Sequence, residues 1–225
     1  MTAHKEGYDE NLYLDPGTRT KVEETGGANF IFITKDNKVI TPKSDSILPS
    51  ITRRSLVYVA REYLGKGVVA LDLAGAETLF PTKKFESIFR EAGRKGIPFT
   101  IHAGEADGPE SIWAALEFGA SRIGHGIRCL EDRTLVRRLE KDKIPLELCP
   151  TSNINTKVFK NITDYPILKI LDEGIKVTIN TDNMTVSNTT VRRELQLLAD
   201  TFHLSEIEIG HLIKNAEESM FENKK

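Results

Sequence analysis

The run Phe99-Thr-Ile-His-Ala-Gly-Glu105 decides how the chain is read. Three residues of apolar or β-branched character, Phe99, Thr100 and Ile101, open a short buried strand and lead into a glycine-bearing turn flanked by an imidazole and a carboxyl. Outward in both directions the same rhythm recurs. Apolar runs stand at Val68 to Leu73, Arg122 to Gly124, Pro145 to Leu148 and Lys176 to Asn180. Between and after them, helical spacing predicts helices over Lys83 to Lys95, Gly108 to Phe118, Glu131 to Lys141, Pro166 to Glu173, Thr189 to Thr201 and Ser205 to Phe221. Strand and helix in alternation predict parallel βαβ units.

The fold class expected is α/β: an incomplete TIM-type (β/α) barrel of about five βα units over residues 66–225. A closed barrel of eight units needs about 250 residues, more than the 225 of this sequence. Residues 1–65 have another texture. Asn29 to Thr34 and Lys38 to Thr41 flank Lys35-Asp36-Asn37 as a hairpin, and Ser50 can cap a helix over Ile51 to Tyr63. A small β-hairpin plus helix is therefore expected ahead of the barrel.

Composition narrows the function classes. At 39% hydrophobic and 28% charged the chain is globular in type, and its net charge of -2, from 31 basic and 33 acidic residues without a basic arm, gives no footprint for nucleic acid. No window is long and apolar enough for a membrane span, so a cytoplasmic location is expected. Cys129 and Cys149, 20 residues apart, fit neither a redox pair nor a thiolate cluster and are expected to be reduced, half-buried packing residues.

In a β/α barrel the chemistry sits at the strands' C-terminal ends. Here those ends read Asp72-Leu-Ala-Gly75, His102-Ala-Gly-Glu105, Gly124-His-Gly126, Cys149-Pro-Thr-Ser-Asn153 and Asn180-Thr-Asp-Asn183. His102 and Glu105 offer a metal ligand and a nearby general acid across a bend. His125 between glycines can approach a substrate or water closely, and Asp182 can add an oxygen ligand. Each taken singly also has a plain reading: a hydrogen-bonding surface histidine, a carboxylate at a helix start, a turn-forming aspartate, a helix-breaking glycine.

Together, Asp72-Leu-Ala-Gly75, Ile101-His-Ala-Gly-Glu105, Arg122-Ile-Gly-His-Gly126, Leu148-Cys-Pro-Thr-Ser-Asn153 and Ile179-Asn-Thr-Asp182 resemble the C-terminal part of the adenosine deaminase family, over about residues 66–225. The resemblance implies a zinc-dependent β/α barrel that hydrolyses adenosine or deoxyadenosine to the inosine nucleoside and ammonia. It implies that His102 and Asp182 ligate zinc and that His125 orients and deprotonates the attacking water. Glu105 would give a proton to purine N1, and the backbone N–H of Gly75 would face N3. Asn183 stands where the family more usually has a second aspartate facing N7. The His/Cys/Cys arrangement of cytidine deaminases, marked by Pro-Cys-x-x-Cys, is absent from the sequence.

The family's zinc shell begins with a His-x-His pair, which this sequence does not contain; its one histidine upstream of the strand runs is His4. A weak or partial zinc site and impaired deamination are the expectation, since catalytic zinc ordinarily has three protein ligands.

Residues of about 5–64 resemble instead a fragment of the branched-chain aminotransferases, through Gly7-Tyr-Asp-Glu-Asn-Leu-Tyr-Leu-Asp15, Val22-Glu-Glu-Thr-Gly-Gly-Ala-Asn-Phe30 and Thr41-Pro-Lys-Ser-Asp-Ser-Ile-Leu-Pro-Ser-Ile-Thr-Arg53. That resemblance implies pyridoxal phosphate (PLP) chemistry, with Glu24 pairing with the pyridine nitrogen and the backbone at Ile51 and Thr52 holding the phosphate. The family's Schiff-base lysine and second phosphate loop have no match, so PLP binding and transamination are not expected of this chain. The chain reads as a chimera. Two alternatives stay open: an aminotransferase fragment, and a non-catalytic product that self-associates through open sheet edges. The partner expected is a small purine nucleoside.

Overall fold

A computed structural model describes residues 58–221 and, upstream, the backbone of five short strands. The chain divides into two compact units, Met1–Ser55 and Leu56–Lys225.

In the first unit β1 (Leu12–Leu14), β2 (Val22–Thr25) and β3 (Ala28–Asn29) form an antiparallel sheet in that order. β4 (Phe32–Ile33) pairs antiparallel with β5 (Val39–Ile40), Phe32 opposite Ile40 and Ile33 opposite Val39. This is the hairpin that the Lys35-Asp36-Asn37 turn led one to expect. Glu24 lies on β2 opposite Tyr13 and Asn29. Ile51 and Thr52, and the start of the helix expected from Ile51, fall outside the described residues.

The second unit is built on five parallel strands: β6 (Leu71–Leu73), β7 (Phe99–Ala103), β8 (Arg122–His125), β9 (Leu146–Leu148) and β10 (Val177–Ile179), side by side in chain order. Each connection carries helix, among them Glu86–Arg94, Pro109–Phe118, Arg133–Asp142 and Ile167–Asp172, and the helices Val191–Phe202 and Glu206–Glu218 close the unit. This is the wall of a partial β/α barrel, as expected.

Period-two alternation gives the wall its two faces. Ile101, Ile123, Leu146, Leu148, Val177 and Ile179 are buried against the helices. Burying a side chain of that size contributes about 1.5–3 kcal/mol. The alternate positions, Asp72, Thr100, His102, Arg122, Gly124, Glu147 and Thr178, share the opposite face by register. There Thr100 Oγ1 donates to Glu147 Oε2 at 3.1 Å, and Arg122 Nε lies 3.2 Å from Glu147 Oε1. Cys129 and Cys149 are free, and both are buried where half-buried positions were expected. No described helix is long and apolar enough to cross a membrane.

The boundaries differ from the sequence reading in two instructive places. The strand expected from Val68 begins only at Leu71, because Gly65 and Gly67, both at positive φ, turn the chain back so that Leu64 bridges Val68. Cys149-Pro-Thr-Ser-Asn153, read in the sequence only as the end of a strand run, opens a helix, Pro150–Asn155. Proline at the first helical position has a preset φ and gives up an N–H that the helix leaves free anyway.

Candidate active site

The pairing of β7 with β8 assembles the centre. His102 lies opposite Gly124 and Ala103 opposite His125, which brings the two imidazoles to 4.4 Å between ring centroids. A methyl group at Gly124 would stand 3.1 Å from the Cα of His102, so glycine is what allows the strands this approach. At Gly104 the chain turns through a φ of 72°, and a Cβ would meet Ile112 Cδ1 at 2.4 Å. That turn folds Glu105 back toward its neighbours.

Glu105 is buried and surrounded by polar groups. Its Oε2 lies 3.2 Å from His102 Nε2 and its Oε1 3.7 Å from His125 Nδ1. Asn153 Nδ2 donates to Glu105 Oε1 at 2.8 Å and contacts His125 Nδ1 at 3.0 Å. Thr156 Oγ1 donates to Glu105 Oε1 at 3.0 Å, and the Tyr165 hydroxyl donates to Asn153 Oδ1 at 3.2 Å. Since a carboxylate only accepts and Tyr165 donates, the Asn153 amide can sit only with its nitrogen toward Glu105.

Charge and burial compete here. Burial alone would raise the Glu105 pKa, yet His102 and His125 outweigh it and hold the carboxyl at about 2. Burial opposes a charge on His102, but the Glu105 carboxylate, with Glu77 and Asp182 farther off, lifts its pKa above the ordinary imidazole value. For the more deeply enclosed His125, burial prevails and lowers the pKa. Two neighbouring imidazoles thus have their basicities pushed apart, an arrangement typical of sites that move protons.

His102 Nε2 is buried and has no hydrogen-bond partner, because its approach to Glu105 lacks the alignment a hydrogen bond needs. An orphaned ring nitrogen facing a carboxylate and a second imidazole suits a divalent cation of the zinc type. The donor atoms of His102, Glu105 and His125 lie within 4.8 Å of one another. Asp182, at a left-handed φ of 53°, accepts from Ser152 Oγ at 2.7 Å. Of the expected zinc pair, His102 thus lies in a cluster with Glu105, the general-acid candidate, and His125; Asp182 is not among its members.

The remaining sequence candidates are placed as follows. Gly75, at a φ of 151° with open space around its Cα, lines a small cavity with Leu73, Phe80 and His102. Asn183 caps the short helix Met184–Ser187, its Oδ1 accepting from the N–H groups of Thr185 and Val186 at 3.1 and 2.9 Å. Glu24 lies in the other unit, and its side chain, like Ile51 and Thr52, is outside the described residues. Glu77, Thr156 and Tyr165 were not singled out in the sequence, and Asn153 stood only at the end of a quoted run. Glu77 had a signal, a carboxyl two residues past a strand-end glycine; Tyr165 had none.

The family model described as adenosine deaminase matches residues 25–225. An adenosine deaminase of Haemophilus ducreyi is 50% identical over 163 residues, which is 71% of this chain and 47% of the relative. One from Clostridium botulinum is 38% identical over 215 residues, 95% of this chain and 63% of the relative. Among solved structures, an adenine deaminase from Arthrobacter aurescens superposes with a TM-score of 0.70 at 30% identity, covering 77% of this chain and 54% of that one. The chain spans about half the length of curated relatives that it matches, 47% of the Haemophilus ducreyi protein and 49% of one from Clostridium kluyveri. The family match and the Clostridium botulinum alignment both take in residues upstream of 65, within the segment that resembled an aminotransferase.

Proposed function

The chain belongs to the adenosine deaminase family, and from that membership we propose that it carries the centre of a zinc-dependent hydrolase that converts adenosine or deoxyadenosine and water to the inosine nucleoside and ammonia. The observation that carries the reading is the buried Glu105 carboxylate held between His102 and His125 by Asn153, at the C-terminal ends of adjacent parallel strands.

His102 and Asp182 would hold the zinc, with Glu105 and His125 beside it. Bound there, zinc supplies Lewis acidity that brings the pKa of water toward neutrality. His125 orients the attacking water and takes its proton as the oxygen adds at C6. Glu105 delivers a proton to N1, so the electron pair displaced from the ring ends on a neutral nitrogen. Glu105 is ionised at rest, so the proton it delivers must first be acquired; the attacking water carries two, of which one passes to Glu105 and the other to His125. The proton held by His125 passes to the 6-amino group, which departs as ammonia as the C6 carbonyl forms and the ring is restored. The open backbone at Gly75 offers an N–H to purine N3, and Asn183, its oxygen engaged as a helix cap, has an amide N–H2 left for N7.

Among these 225 residues His102 and Asp182 are the two zinc ligands the family pattern supplies, so zinc is held weakly and activity depends on added metal. The ultraviolet change on turning adenosine to inosine, followed with increasing zinc, tests this. Turnover that rises with zinc and falls on chelation is expected; no turnover and no zinc uptake at high metal would overturn it.

A further inference from the structure

Glu77 is 4% exposed, and among the described residues its carboxylate has no Lys or Arg partner. Its compensation comes from backbone. Oε1 accepts from Gly104 N at 2.6 Å, and Oε2 accepts from Glu105 N at 3.0 Å, Ala106 N at 2.9 Å and Asp107 N at 3.0 Å. Four consecutive N–H groups converging on one carboxylate form an anion nest. Each is a charge-assisted bond, stronger than an amide pairing with a neutral oxygen. Convergence requires the left-handed turn at Gly104, whose N–H is shared with Ser111 Oγ at 2.8 Å.

The nest belongs to the loop after β7, whereas Glu77 comes from the loop after β6, two residues beyond Gly75. One carboxylate therefore ties the loop bearing the open Gly75 backbone to the loop bearing Glu105. A carboxyl group buried without such donors would be costly, so Glu77 and the nest hold each other in place.

We infer that Glu77 is a positioning residue: it fixes the backbone from which Glu105 projects, and so sets the spacing between the group that meets purine N1 and the N–H that meets N3. The inference rests on the deaminase reading for those two purine contacts, but the tie from Glu77 to Glu105 is measurable without substrate or metal. Glu77→Gln keeps the shape and turns a donor toward the row of N–H groups.

In nuclear magnetic resonance of the full chain, hydrogen exchange of the Glu105, Ala106 and Asp107 amides in E77Q is expected to quicken at least tenfold, while Ile101 and Ile123 stay protected. The side-chain N–H2 signals of Asn153, which report where the Glu105 carboxylate lies, are expected to move. Unchanged loop exchange, or freed loop amides with unmoved Asn153 signals, would overturn the inference. Glu77→Asp, which keeps the charge and shortens the reach, carries the same test if the amide variant does not fold.

A ligand pair separates this from the deaminase reading. Purine riboside and its 1-deaza counterpart differ only in N1. E77Q is expected to weaken binding of the first about tenfold and leave the second unchanged; equal losses would contradict a role through Glu105. If neither binds the unaltered chain, the deaminase reading falls, and the resonance experiment still decides the role of Glu77.

Discussion

Glu105 sits where three demands meet: it is buried, it lies between two imidazoles, and Asn153 and Thr156 donate to the same oxygen. If it carries the proton to N1, Glu105→Gln should lower kcat by about 10²–10⁴ with little change in KM, measured in zinc-supplemented assays. The same environment sets an acid limit on the metal-free fold. Burial opposes the charge on Glu105, but His102 and His125 hold its pKa at about 2, below the ordinary 4.5. The stabilisation is therefore full above about pH 4.5 and is lost as pH falls toward 2. Glu77, whose burial is outweighed by the backbone N–H groups around it, has a lowered pKa and acts in the same direction. Denaturant unfolding at pH 5 and pH 3 should show E105Q losing less stability than the parent, by on the order of 1–3 kcal/mol. An equal loss would place the acid sensitivity elsewhere. At this scale the sequence showed the titratable members, because His102, Glu105 and His125 stand at ends of apolar runs. Tyr165 and Thr156 were hidden, since they reach the centre through contacts 12 and 51 residues apart in the chain that no local pattern encodes.

Among the elements, the β7–β8 pair is the one on which the centre depends. Gly124→Ala would press a methyl against the His102 backbone at 3.1 Å. It should cost about 1–3 kcal/mol and reduce zinc uptake. Leu139, fully buried on the helix Arg133–Asp142, offers the contrast. Leu139→Ala should cost about 2–5 kcal/mol in denaturant melts and leave zinc uptake unchanged while the protein stays folded. If both variants lose zinc in proportion to stability alone, the close strand approach has no particular role at the site. The order of strands and helices was legible because apolar runs alternate with stretches of helical spacing; the cap of Ser205 with Glu208 then fixes the start of the last helix. The helix Pro150–Asn155 was not, because its six residues hold too little apolar periodicity to outweigh a Pro-Thr-Ser-Asn composition that reads as a turn.

For the whole molecule, the parallel wall ends at β6 and β10, each paired on one side among the described residues. Unpaired parallel edges invite association, so light scattering should show oligomers that grow with concentration; a monomer at all concentrations would count against open edges in solution. Parallel barrel architecture was readable from rhythm and strand-end chemistry, whereas the polar face shared by Thr100, Arg122 and Glu147 emerged only from register, which spacing along one strand cannot supply. In the proposed function His102 and Asp182, with Glu105 and His125 beside them, hold a metal where purine deamination would occur. Zinc titration of the purified chain, beside His102→Ala, tests it most directly. One zinc per chain, weakly held and lost in the variant, is the expected result; no uptake at saturating zinc, or uptake undiminished by the substitution, would contradict it.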